Sequence, residues 1–334
     1  MISPILRLNV DELASALDAI DPVEVLAEEL VGRTAGGADR LPNRSGRLTP
    51  WHGVTPAGIP AVTSADLPAG TSAGVPAGDL VLLEDLGVGG GCVLPASALA
   101  VVRTAALAAL AARTLVIPGV VTAAVLGSDF AAQSSLTLIA RYLPGLSHVA
   151  VCPSDRRSGD EPGRPLEPRV IDRLDFAGVG WSVTAAVAQA VFGATLIVAT
   201  TAGAPHLEIG QLPKGAVLIN TTGEDLPDEL VDAVDQIYVD DAALIEGNAH
   251  RYFARMHLAG PTNGSAWAAG QAGRRDRRVD ADLAQVLTGA HAGRTHVDHI
   301  LLVELLGARA PDVRLACALH RAAIELGLGV RLVE

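Results

Sequence analysis

TAAVLGSDFAAQSSLTLIA, residues Thr122 to Ala140, is the stretch whose reading decides the fold. Ala123 to Leu126 read as a short buried strand, a tight turn follows at Gly127-Ser128-Asp129, and a helix begins at once. Strand, glycine turn and helix in immediate succession form the opening of a dinucleotide-binding βαβ unit. Its fingerprint, G-x-G-x-x-G/A, falls on Gly127, Asp129 and Ala132. The first and third positions fit. At the second, glycine normally lets the backbone approach a pyrophosphate, and here an aspartate adds a Cβ and a negative charge.

From Val121 onward strand and helix signals alternate. HVAVC (148–152), GWSVT, ATLIVATT (194–201), GAVLINTT (215–222) and QIYVDD read as strands, and 130–143, a stretch near 166–175, AAVAQAVF and DELVDAV as helices. This alternation predicts a parallel sheet with helices on both faces. Before it, Val10 to Leu30 read as one helix with Asp11 as N-cap. Residues 31–100, rich in Gly, Pro and Thr, read as a small sheet carrying GIPAVTSA, DLVLLEDL and GCVLPA. Ala98 to Leu115 is an alanine and leucine helix, and Pro118-Gly119 suggest a domain crossing. The C-terminal part reads as a strand, a turn, a long helix and a short closing strand, VRLV.

The chain has 334 residues, enough for two domains and a large core, and with 3% aromatics that core is built from Ala, Val and Leu. A net charge of −12 argues against nucleic acid as a partner, since phosphate binding needs a basic surface. The basic run Arg274 to Arg278 reads as a solvated loop. The start lacks the features of a signal peptide, and no unbroken apolar run has the length of a membrane span. Cys92, Cys152 and Cys317 lack metal or disulfide spacing, so a cytoplasmic location is expected. Lys214, the only lysine, sits in a turn, which sets pyridoxal-phosphate chemistry aside. His291, His296 and His299 have a spacing that allows a metal loop, with solvated or core histidines the commoner outcome.

Several segments, taken in order, resemble the ornithine cyclodeaminase/mu-crystallin family of NAD(P)-dependent proteins. They are RTAALAALA (Arg103 to Ala111), VLGSDFAA, SVTAAVAQAVFGATLIVATT, LPKGAVLINTTGEDLPDEL, TGAHAGRTHVDHI and GARAPDVRLA (Gly307 to Ala316). The resemblance runs from about residue 5 to the end, apart from 153–170. It implies a Rossmann-type parallel-sheet domain (118–297) inserted into an α+β substrate-binding and dimerisation domain (1–117 and 298–334). A homodimer, an amino acid or imine substrate, and NAD or NADP as cofactor are implied with it. The ending GLGVRLVE and the VDD at 239–241 are similar to the branch that forms 2,3-diaminopropionate.

Residue roles follow by position. Asp225 falls where the family carries its catalytic aspartate, past a strand end where ligands of open α/β sheets bind; the alternative is plain helix N-terminal acidity. Arg103 is either a bidentate clamp on a substrate carboxylate or half of a buried salt bridge. Arg47 resembles the first substrate-binding arginine, with Arg44 as rival. The cofactor set implied is Thr104, Gly127, Ser128, Asp129, Phe130, Ala131, Ser154, Asp155, Thr200, Thr201 and Ala202. Three positions depart from the family. Pro60 stands where it has a lysine, Asp129 replaces the second glycine, and the acidic residue expected after the second strand is missing, with Asp155 the nearest substitute and Arg156 and Arg157 suited to a 2′-phosphate. An altered cofactor site, in a non-redox enzyme or a small-molecule-binding protein, is therefore the alternative reading.

Overall fold

A computed structural model describes residues 5–35, 46–50, 80–85, 87–88, 90–153, 166–200, 207–259, 278–307 and 310–332. Pro60, Ser154, Asp155, Thr201, Ala202 and the arginines at 44, 156 and 157 lie outside them. The chain divides into two compact units, 1–106 with 309–334, and 107–308. The sequence reading put the junctions at 117/118 and 297/298.

The first unit holds a five-stranded sheet. Strands β1 (Ile5–Arg7), β2 (Gly46–Pro50), β3 (Leu80–Asp85), β4 (Gly90–Pro95) and β13 (Val330–Leu332) lie in the order β13-β1-β4-β3-β2. Among the described pairings only β1–β4 is parallel. The helix read over Val10 to Leu30 is two helices, α1 (Val10–Asp18) and α2 (Pro22–Ala35). Pro22 is the reason: a proline has no N–H to give to an interior helix bond, so it opens a new helix instead. The N-cap of α1 is Asn9, not Asp11; its side chain accepts from Glu12 N–H, and Glu12 returns the bond to Asn9 N–H. The long helix α10 (Ala310–Leu326) packs on α1, α2 and the sheet.

Helix α3 (Ala96–Leu115) begins in the first unit and ends in the second. Ala105 through Ala112 are at most 1% exposed, so this helix is buried on every face over these residues. Its length and hydropathy alone would suit a membrane, but 72% of its apolar window is buried inside the protein, which identifies a core helix.

The second unit is built on an eight-stranded sheet in which every recorded pairing is parallel. Its strands are β5 (Val121–Leu126), β6 (Leu146–Cys152), β7 (Gly180–Val183), β8 (Leu196–Ala199), β9 (Val217–Asn220), β10 (Gln236–Val239), β11 (Ala281–Asp282) and β12 (Leu301–Glu304). The order is β11-β10-β12-β9-β8-β5-β6-β7. The chain runs outward from β5 to β7, then crosses back to β8 on the other side, so the order reverses between β5 and β8. That reversal creates the crevice where doubly wound sheets bind ligands. The strands β8, β9, β10 and β12 are buried at every position, as a sheet covered on both faces requires. Helices α4 (Phe130–Tyr142), α5 (Pro168–Phe176), α6 (Val187–Val191), α7 (Asp228–Ala233), α8 (Tyr252–Ala259) and α9 (Leu283–Leu287) connect them.

Candidate functional site

The turn after β5 sits at the reversal point. Gly127 has φ +141°, where a side chain is rarely tolerated, and its N–H donates to Cys152 O at 2.8 Å. Across the crevice, Thr200 donates both its N–H (3.1 Å) and its hydroxyl (3.0 Å) to Leu126 O. Thr200 thus ties the ends of β8 and β5 together. Helix α4 starts directly after the turn. Asp129 is its N-cap, and the carboxylate accepts from Ala132 N–H at 3.0 Å. Gln133 braces the turn by donating to Ser128 O and accepting from Glu167 N–H. The amides of Phe130 and Ala131, the first two of the helix, make no hydrogen bond among the described residues.

The glycine turn, the reversal point and two open amides at a helix N-terminus are what a pyrophosphate needs. The carboxylate of Asp129 does not block the two amides, because its bond goes to the third. It does place a negative charge in the same first turn. Asp129 is exposed, so water screens that charge. The residues present therefore fit the group, with Asp129 as the weakening element.

The second cluster lies at the ends of β9 and β12. Glu304 is fully buried at the end of β12. Its carboxylate accepts from Asn220 Nδ2 (2.9 Å) and from Arg251 Nη2 (2.7 Å). Burial pushes the Glu304 carboxyl up to about 7, against the opposing pull of Arg251 and Asn220. Arg251 is also buried, and its guanidinium lies over the Phe253 ring at 5.0 Å. Asn220 and Arg251 both donate to Glu224 O, at 2.9 and 2.7 Å. Asn220 further accepts from Thr222 N–H and its hydroxyl. The loop 221–225 is pinned by these bonds.

Asp225 ends that pinned loop. It does not cap α7, whose N-cap is Pro227 without a side-chain bond. Its Oδ1 accepts from Tyr252 N–H at 2.9 Å, at the start of α8, and lies 3.7 Å from Arg251 Nε. Its side chain is 41% exposed, so the carboxylate is both held and open to solvent. Neither Asn220, Arg251 nor Glu304 was singled out from the sequence. Glu304 had one signal, an acidic residue ending an otherwise apolar strand; Arg251 had none.

The remaining expected residues belong to the first unit. Arg103 is buried, and Nη1 reaches both oxygens of Asp312 at 2.9 Å. The buried salt bridge is therefore present, and Arg103 Nε has no hydrogen-bond partner among the described residues. Thr104 donates its hydroxyl to Ala100 O, one turn back in α3. Arg47 is exposed on β2, opposite Glu84. In the second unit, His291 Nδ1 accepts from Gly293 N–H, and His299 Nδ1 is placed on Thr295 and Gln236. Among the described residues no group of three or more His, Cys, Asp or Glu is placed to hold a metal.

A sequence model of the ornithine cyclodeaminase/mu-crystallin family matches residues 61–325. A search of curated proteins finds no match. Solved structures of similar fold include CmnK, at 20% identity and a TM-score of 0.67 over 99% of this chain and 98% of that one. Another is the Δ1-pyrroline-2-carboxylate reductase of Thermococcus litoralis, solved with NADH and L-proline, at 15% identity and a TM-score of 0.65 over 98% and 100%. A third is the iminosuccinate reductase of Paracoccus denitrificans, solved with NAD+, at 15% identity and a TM-score of 0.66 over 99% of each chain.

Proposed function

Because the chain belongs to the ornithine cyclodeaminase/mu-crystallin family, we propose that it is an NAD(P)-dependent oxidoreductase or cyclodeaminase acting on an amino acid or its imine, in specialised metabolism. The observation that carries this reading is the Gly127 turn at the β5/β8 reversal, with the Phe130 and Ala131 amides open beside it. The NADH, NAD+ and L-proline held by structures of similar fold favour the same ligand classes. When bound, the nicotinamide would supply or accept the hydride.

In this reading Gly127, Ser128, Phe130 and Ala131 hold the pyrophosphate, with Asp129, Thr104, Ser154, Asp155, Thr200, Thr201 and Ala202 completing the nucleotide site. Arg103 and Arg47 take the substrate carboxylate, for which the unpartnered Arg103 Nε supplies one donor. Asp225 manages the proton on the substrate nitrogen. In the reductive direction the C=N carbon gains a hydride and the nitrogen a proton; the oxidative direction reverses both. The protein is proposed to act as a cytoplasmic homodimer, with the two units serving as the substrate-binding and nucleotide-binding domains.

Calorimetry with NADH and NADPH tests the first step, followed by absorbance at 340 nm with Δ1-pyrroline-2-carboxylate and with pyruvate plus ammonia. Binding of neither nucleotide would end this reading. Asp129→Gly removes the charge in the first turn of α4 and is expected to tighten nucleotide binding about tenfold, a gain of about 1.4 kcal/mol. One observation favours a second reading. Asp129 takes one of the α4 N-terminal amides, that of Ala132, from within the chain, as a site that has given up its anion would. That reading expects no nucleotide binding and no gain from Asp129→Gly.

A further inference from the structure

We infer that Arg251, anchored by Glu304, is a positioning residue for Asp225, an inference that rests on the reading of Asp225 as the carboxylate facing the substrate. Arg251 lies between two carboxylates of opposite character. Glu304 is buried and takes Nη2 at 2.7 Å; Asp225 is partly open and lies 3.7 Å from Nε. That Nε has no hydrogen bond among the described residues although it is buried. A guanidinium has a fixed planar fork, so once Glu304 holds Nη2 the direction of Nε is set as well.

The backbone arrangement agrees. Arg251 Nη2 and Asn220 Nδ2 converge on the carbonyl of Glu224, the residue immediately before Asp225. Tyr252, immediately after Arg251, gives its N–H to Asp225 Oδ1. The carboxylate is therefore fixed on one oxygen, while Oδ2 makes no hydrogen bond among the described residues. A reacting group held by packed and hydrogen-bonded neighbours keeps its geometry without reorganisation during the reaction. A staple that served only to join β12 to the loop would need the Glu224 and Glu304 bonds. It would not need a buried Nε left without a hydrogen bond 3.7 Å from an exposed carboxylate.

The Tyr252 amide reports the state of Asp225 directly, whether or not the substrate is known. Amide hydrogen exchange by NMR on the full chain compares wild type, Glu304→Gln, Arg251→Lys and Asp225→Ala. Glu304→Gln is remote in sequence from Tyr252 and keeps the side-chain shape. At about pH 8, where the wild-type Glu304 carboxyl is ionised, it is expected to speed exchange at Tyr252 at least about tenfold, towards the Asp225→Ala rate, while Ala132 stays as in wild type. Arg251→Lys, which keeps the charge but not the fork, should fall between. Wild-type exchange at Tyr252 in Glu304→Gln overturns the inference, and so does an equal rise at Tyr252 and Ala132, which marks general loosening. NADH oxidation with Δ1-pyrroline-2-carboxylate supplies the second readout. The expected split is a fall in kcat of about tenfold for Glu304→Gln with KM for NADH unchanged. A wild type that oxidises no NADH counts against the proposed function, and the exchange rates then decide the positioning role alone.

Discussion

Glu304 is the residue whose chemistry is most altered by its surroundings. A carboxyl raised from 4.5 to about 7 holds its proton in the folded chain where the unfolded chain has released it. Its contribution to stability is full below about 4.5 and is lost as pH rises through about 7, on the order of 3 kcal/mol. Melting curves of wild type and Glu304→Gln across this window test the sign. The wild type should lose ground to the variant as pH rises, and parallel curves would refute the assignment. Arg103 invites a different test. Asp312→Ala strands a buried guanidinium and is expected to cost about 3 kcal/mol in urea unfolding, whatever Arg103 does for a ligand.

At the level of elements, the glycine at position 145 shows how tightly β5 and β6 are joined. It has φ +78°, and a Cβ there would lie 2.0 Å from Gly119 O. Gly145→Ala should therefore destabilise by at least about 2 kcal/mol, read as a lowered urea midpoint with an unchanged slope. Most elements were legible from pattern alone. The strand–turn–helix at 121–142 and the buried strands after it follow from apolar runs of strand length set between glycines. Apolar spacing continues across Pro22 and hides the break there, and Asp11 is as good a capping type as Asn9. By spacing alone Asp129 is an obstacle; its part as a helix cap depends on where the carboxylate turns, which spacing does not encode.

On the scale of the whole molecule, the sequence order conveyed the family and the two-part plan, while the network around Asp225 stayed hidden. Asn220, Glu224, Arg251 and Glu304 are spread over 85 positions and meet only because β12 enters the sheet between β9 and β10. No local window of sequence contains that meeting. The same topology also sets a schedule for synthesis. The sheet of the second unit has a gap until residues 301–304 emerge, and the first unit lacks α10 and β13 until residues 310–332 follow. Neither unit completes its sheet before residue 301 has emerged, so a long nascent chain exposes unpaired strand edges. A stop after residue 308 should leave a cooperative melting transition from the second unit, and a stop after residue 299 should abolish it. Late ribosomal stalling would then be costlier for this protein than for one whose domains close in sequence order, and its expression should depend on chaperones that guard open sheets.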